Sequence, residues 1–347
     1  MQATWYFLLA LMLVTYAVLD GFDFGAGIVH LFVAKTDEER RHVLAAIGPV
    51  WDGNEVWLIA SGGVLVFSFP RAYAAAFSGL YLPLMMVLWL LVLRGLSIEF
   101  RSKLEHPLWR AGMDAVFTFA SSVMAIVLGV ALGNVLRGVP LDDSGYFQSD
   151  LFTDFDPRGP HFGAIDLYTA LVGLFAFVTL AAHGATFLVW KTTGEVRDRS
   201  ARLARPLWIV AVVLAVFVTV ATALTHADHL AHLGARPWLW PLPLVALAAA
   251  FFCRHALARG DEGHAFLASS AFVASLLVAT AGTLFPTILR STVAPDFTLD
   301  AYNASSPRAT LALGLFVWVP AITLAVGYFG YLYRSFHGKV QRGDHHY

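Results

Sequence analysis

Charge and thiols are what this sequence lacks. Asp, Glu, Lys and Arg make up 14% of its 347 residues, the net charge is −1, and one cysteine, Cys253, stands in an apolar segment. A single thiol closes no disulfide framework, so Cys253 reads as a small buried hydrophobe. A near-neutral chain without a basic stripe offers nothing to a phosphate backbone, which argues against a nucleic-acid partner. No Gly-Lys-Ser/Thr phosphate loop occurs, and no segment between apolar runs is long enough for a compact extramembrane domain, so the chain is not expected to hydrolyse nucleotide itself. The first apolar run has no basic n-region and no small-residue cleavage site before it. It is also far longer than a signal-peptide h-region, and is expected to stay as a helix.

What is abundant is apolar side chain: 58% of residues are hydrophobic and the mean hydropathy is +0.66. That composition belongs to polytopic membrane proteins. Apolar windows and their polar interruptions predict an all-α protein with nine spans at about 5–33, 47–69, 75–100, 112–136, 164–190, 205–226, 238–256, 265–289 and 309–334, in a single integral membrane domain, 1–347. Two four-helix bundles plus one extra helix would suit this count. The basic residues test it. With nine spans, one set of alternate connections and span ends carries 17 of the 23 Lys and Arg residues, and the other carries only Arg71, Arg137, Arg158, Arg236, Arg290 and Arg308. Short cytoplasmic loops hold the positive excess, which predicts the N-terminus outside and the C-terminus in the cytoplasm. The longest connection, 137–162, is rich in Asp, Gly and Pro and reads as a solvated outer loop.

Against this apolar background Asp20-Gly-Phe-Asp-Phe-Gly-Ala-Gly27 stands out. Asp20 and Asp23 lie in the second half of the first span, and each costs on the order of 3 kcal/mol near the centre of a membrane helix. On a helix Asp20, Asp23, Gly27 and His30 share one stripe, which must face protein or water. Gly21 and Gly25, four apart, permit another backbone to come close. With the predicted topology Asp52, Asn54, Glu55, Arg94, Glu99 and Asp114 fall at the same inner depth. Carboxylates a helical turn apart can pass protons through intervening water, so Asp20, Asp23, Asp52, Glu55 and Asp114 are the candidate proton-path residues, with Asn54, Arg94, Glu99, Trp51 and Trp57 as polar support. Other readings stay open. Asp52 and Asp114 could cap helix starts, although the Asp52–Glu55 cluster is too dense for capping alone. Arg94 could snorkel to the interface or pair with Glu99.

His183 is the one histidine the sequence places clearly within the apolar core. A lone histidine is weak evidence for haem, and a hydrogen-bonded core residue is preferred. His226, His229 and His232 recur every three residues without a carboxylate or cysteine at zinc-motif spacing, and His345 and His346 are tail residues. Trp5, Trp109, Trp238, Trp240 and Tyr333 near span ends read as interfacial anchors.

Leu19-Asp-Gly-Phe-Asp-Phe-Gly-Ala-Gly27, Gly48-Pro-Val-Trp-Asp-Gly-Asn-Glu-Val-Trp-Leu58, Ala74-Ala-Ala-Phe-Ser-Gly-Leu-Tyr81 and the stretch from Arg94 to Glu99-Phe-Arg101 resemble subunit II of the cytochrome bd quinol oxidases. The likeness continues more loosely through His183-Gly-Ala-Thr186, Thr280-Ala-Gly-Thr-Leu-Phe-Pro286 and Asn303-Ala-Ser-Ser306. It implies a respiratory enzyme of the bacterial cytoplasmic (inner) membrane, with two subunits or a few small accessory ones besides, that oxidises quinol and reduces dioxygen to water. Haem b, haem d and the quinol-oxidation loop would belong to subunit I, with which this haem-free subunit forms a heterodimer along an apolar face. Some family members hold a structural quinone in this subunit. The resemblance also implies cytoplasmic proton conduction by Asp20, Asp23 and Asp52, with Asp114 a weaker transfer. From a different class, a proton- or cation-coupled secondary transporter would use the same acids, but needs broken midplane helices in matching positions of two halves, for which Gly25 to Gly27 and Pro49 are poor material. A scaffold that only stabilises a partner would tolerate neutral replacements of the acids.

Overall fold

The computed structural model describes residues 1–158, 163–225 and 227–340, with the backbone alone at 227–230. Twelve helices account for most of this: α1 (Gln2–Val33), α2 (Asp37–Ile47), α3 (Trp51–Ser68), α4 (Pro70–Gly79), α5 (Tyr81–Phe100), α6 (Pro107–Arg137), α7 (Leu167–Lys191), α8 (Gly194–Thr225), α9 (Ala227–Ala235), α10 (Pro241–Arg259), α11 (Glu262–Leu284) and α12 (Arg308–Ser335). Among the described residues eight of them, all but α2, α3, α4 and α9, are long and apolar enough to cross a membrane. The polar start of α3, Trp51-Asp-Gly-Asn-Glu55, keeps it out of that group.

Each departure from the expected spans has a local cause. The region 75–100 is not one helix. Pro83 has no N–H to offer the Gly79 carbonyl, and its ring crowds that turn, so α4 ends at Gly79 and α5 begins at Tyr81. Pro49 likewise separates α3 from α2, a polar helix the apolar windows pass over. A capping box starts α2: Glu39 N–H donates to Thr36 Oγ1 (3.2 Å) and Thr36 N–H to the Glu39 carboxylate (3.1 Å). The span expected to reach 289 stops at Leu284, before Pro286, and Thr287–Leu289 instead forms β1, antiparallel to β2 (Leu299–Asp300). At the other extreme α8 starts eleven residues before its expected span, because the basic stretch from Gly194 to Arg205 is itself helical.

Packing follows two bundles. α1, α3, α5 and α6 form one, α7, α8, α10 and α11 the other, and α1 and α6 both pack on α7 to join them. The join is close because Gly25 of α1 meets Gly184 of α7 backbone to backbone; a Cβ on either would collide with the opposite main chain. Gly129 of α6 and Gly173 of α7 repeat the arrangement. α12 lies outside both bundles, with Leu311 and Leu332 its only buried residues.

One end of the molecule is tied by ion pairs between connections. Arg199 binds Glu39 (2.8 Å), Arg197 binds Glu262 (2.8 Å), and Lys191 donates to the carbonyls of Phe336 (2.7 Å) and Gly338 (2.8 Å). At the opposite end Arg137 pairs with Asp166, the N-cap of α7. The loop between them is not wholly solvated: Leu141 and Phe147 are buried, Phe147 against Gly79.

Candidate functional site

The acid stripe of α1 is buried at the centre of the first bundle. Asp20 and Asp23, one turn apart, have no exposed surface. α5 supplies Arg94, also fully buried, whose Nη2 donates to Asp20 Oδ1 (2.5 Å) and lies 3.2 Å from the Glu55 carboxylate of α3. The guanidinium rests on the Phe24 ring, 4.2 Å from its centroid, with Trp51 at 5.9 Å. Arg94 therefore neither snorkels nor pairs with Glu99. Five residues on a helix turn two side chains to different faces, and Glu99 is exposed.

Asn54, one residue before Glu55 on α3, donates Nδ2–H to Asp23 Oδ2 (2.7 Å) and to the Leu19 carbonyl (3.3 Å), while Tyr333 of α12 donates its hydroxyl to Asn54 Oδ1 (3.2 Å). Among the described residues, Asp20 and Glu55 thus share the Arg94 guanidinium, and Asp23 stands one turn from Asp20 on an amide. Among the described residues Asp23 Oδ1, Arg94 Nε and Nη1, and Trp57 Nε1 find no hydrogen-bond partner, while the Tyr16 hydroxyl lies against Asp20. Glu55, with 19% of its side chain exposed, links this cluster to the surface. Trp57 packs on Phe329 of α12 at 5.5 Å. Asp52 sits in the first turn of α3, where the helix dipole favours it, but is exposed and outside the hydrogen-bonded cluster.

Asp114 belongs to a different group. It lies in the third turn of α6, which begins at Pro107 rather than near 112, so it caps nothing. Its carboxylate accepts from Arg101 Nε (2.6 Å) and Nη2 (3.1 Å), from Arg40 Nη1 (3.0 Å) and from His30 Nε2 (2.8 Å). Arg101 also reaches Asp37 (2.8 Å), as does Arg110 (3.1 Å). The result is a saturated clamp binding α1, α2 and α6.

His30 is fully buried, so His183 is not the only core histidine. His183 commits both ring nitrogens, Nε2 to the Val18 carbonyl (3.0 Å) and Nδ1 to the Ser269 hydroxyl (2.7 Å), and stacks on Phe266 at 5.4 Å. It is the hydrogen-bonded core residue the sequence suggested. With no free nitrogen it does not fit a haem ligand. His30 has one uncommitted nitrogen, Nδ1, but among the described residues no group of three His, Cys, Asp or Glu could hold a metal ion. His226, His345, His346 and the side chain of His229 lie outside the described residues; His232 Nδ1 meets the Thr283 carbonyl at 3.2 Å. Two expected lipid anchors are interior ties instead. Trp5 is buried and donates Nε1–H to the Leu311 carbonyl (3.0 Å), and Tyr333 reaches Asn54. Trp238 and Trp240 are exposed as anchors should be.

A helical, multi-pass membrane subunit with a buried acid–arginine cluster, whose His183 has both ring nitrogens committed, is the class these features define. The chain belongs to the cytochrome bd terminal oxidase subunit II family, whose sequence profile matches residues 1–336. A probable cytochrome oxidase subunit 2 of Haemophilus influenzae is 30% identical, over 97% of this chain and 94% of the relative. The cytochrome bd-I ubiquinol oxidase subunit 2 of Escherichia coli (strain K12) is 29% identical, over 98% and 95%. In fold, the chain matches the bd oxidase of Geobacillus thermodenitrificans with a TM-score of 0.73 at 19% identity, covering 96% of this chain and 98% of that one. It is accordingly a subunit of an oxidoreductase complex, and the transporter reading is not favoured.

Proposed function

We propose that this chain conducts cytoplasmic protons toward the oxygen-reducing centre of a haem-bearing partner, subunit I, in a bacterial inner-membrane heterodimer that oxidises quinol. Haem b and haem d, which supply the electron and oxygen chemistry, sit in that partner, and any small accessory subunits or structural quinone are additions to this frame. Residues 1–347 form one integral membrane domain with nine spans, N-terminus outside and C-terminus cytoplasmic, which puts Asp52 at the cytoplasmic side.

The proton route starts at exposed Asp52, passes Glu55 three residues on, and reaches Asp20 and Asp23 around Arg94. Reduction of dioxygen to water consumes protons that must cross apolar protein, and a buried cluster with more carboxyls than cations can take up and release them. Arg94 holds the cluster together electrostatically while Asn54 orients Asp23. The observation that carries this reading is the full burial of Asp20 and Asp23 beside Arg94 and the partly exposed Glu55, with Asp23 Oδ1 unbonded among the described residues: carboxyls so placed can take up a proton and hand it on. Asp114, engaged by Arg101, Arg40 and the His30 ring, is assigned to holding this layer of helices rather than to carrying protons.

Oxygen consumption by Asp20→Asn and Asp23→Asn complexes tests the route. Slow turnover with a normal haem spectrum is expected; parental turnover in both would leave this chain a scaffold.

A further inference from the structure

We propose that Tyr333 is a positioning residue for the proton-conducting cluster, fixing the Asn54 amide so that its NH2 end faces Asp23. The proposal rests on the proton-path reading and adds to it a residue from the outermost helix. Asn54 is fully buried, and its two ends are chemically opposite: Nδ2 donates, Oδ1 accepts. Nδ2 is used by Asp23 Oδ2 and the Leu19 carbonyl, which leaves Oδ1 with the Tyr333 hydroxyl as its hydrogen-bond donor among the described residues.

The orientation matters to proton transfer. An NH2 group facing Asp23 supports a carboxylate, which only accepts. A carbonyl facing it supports a carboxylic acid, which donates. The amide orientation and the charge of Asp23 are therefore linked, and the Tyr333 hydroxyl biases both. Removing it strips Oδ1 of its donor and brings the two orientations closer in energy. Tyr333 packs partly buried against the core, and its hydroxyl is what it adds to the cluster. The Tyr333 ring has its own support, stacking on Phe329 at 6.4 Å, so Tyr333→Phe keeps the packing and deletes only the hydroxyl.

The test uses the intact complex and compares Tyr333→Phe, Asn54→Ala, their double variant and Asp23→Asn for kcat, quinol KM, haem content and the pH profile of oxygen consumption. Tyr333→Phe is expected to lower kcat about fivefold, the scale of one hydrogen bond, with KM and haem content unchanged and the pH profile displaced. In the Asn54→Ala background it should have no further effect. Parental rate and pH profile in Tyr333→Phe beside a slow Asp23→Asn would overturn the role of Tyr333. An undiminished effect of Tyr333→Phe on top of Asn54→Ala would also overturn it, showing that the hydroxyl acts elsewhere. Parental rates in both Asp23→Asn and Asn54→Ala would instead remove the proton path on which the proposal stands.

Discussion

The first bundle holds two buried acid sites built on opposite terms. Around Asp114 one carboxylate faces Arg101, Arg40 and His30, and every oxygen is used. Around Asp20 and Asp23, Arg94 is the one cation in contact among the described residues, meeting Asp20 and Glu55, while Asp23 is held by Asn54 and keeps Oδ1 unbonded. Both sites draw on α1, on α5 or the turn just after it, and on a further helix, so proximity does not separate them; the ratio of acids to cations does. A saturated carboxylate has nothing to gain from a proton and serves as a fastener. A cluster short of cations exchanges protons at low cost, which makes it fit for traffic and poor at fastening.

Asp114→Ala should produce the largest effect and the clearest break in the comparison. It strands Arg40 and His30 and leaves Arg101 with Asp37 alone, and removing one partner from a buried ion pair costs about 3–5 kcal/mol, so the yield of assembled complex and its melting temperature should collapse. Gly184→Ala comes next. Its methyl would meet the α1 backbone at Gly25, and a strain of about 1–3 kcal/mol should lower the melting temperature without touching any acid. If that variant also lost turnover at normal haem content, the unsaturated cluster would depend on the spacing of the two bundles. Asp23→Asn sharpens the contrast from the other side: about tenfold slower oxygen consumption with little change in melting temperature, the reverse of Asp114→Ala.

The smallest effect is expected at Glu39, outside the spans. Burial alone would raise its pKa, but hydrogen bonds from Lys35 N–H, Arg199 and Thr36 N–H outweigh it and hold the carboxyl below the usual range. A depressed carboxyl stabilises the fold above its unfolded pKa of about 4.3 and loses that contribution as pH falls through the folded value. Thermal melts of Glu39→Gln should fall below the parent by about 1–2 °C near neutrality and converge with it in acid.

The acid stripe was legible because Asp20, Asp23 and His30 obey helical spacing within one unbroken run, and Asp52 with Glu55, beside Trp51, Asn54 and Trp57, sat too densely in an apolar context to be ignored, though Asp52 itself is exposed and outside the hydrogen-bonded cluster. Arg94 was legible as a polar residue but not as a partner. Glu99 was its nearest acid in sequence, whereas Asp20 is 74 residues away. Asp114 was misplaced by the position of one helix start, since a span counted from 112 puts it at a cap and a helix from Pro107 puts it inside. Trp5 and Tyr333 looked like lipid anchors because their true partners, the Leu311 carbonyl and Asn54, lie across a helix contact that no local pattern encodes. α2 escaped because it is polar, and hydropathy windows see only what faces lipid.

The backbone contact between Gly25 and Gly184 bears on the order in which the protein is made. α1, carrying Asp20 and Asp23, leaves the ribosome before its partners: Arg94 follows 74 residues after Asp20, and Asp114 84 residues after His30. At about 5–20 residues per second α1 must be kept from open lipid for about 4–15 s until its first counter-charge arrives, and longer still until α7 seals its glycine face. The chain is thus obliged to hold its first helix at the site of insertion until the later ones are available to close around it.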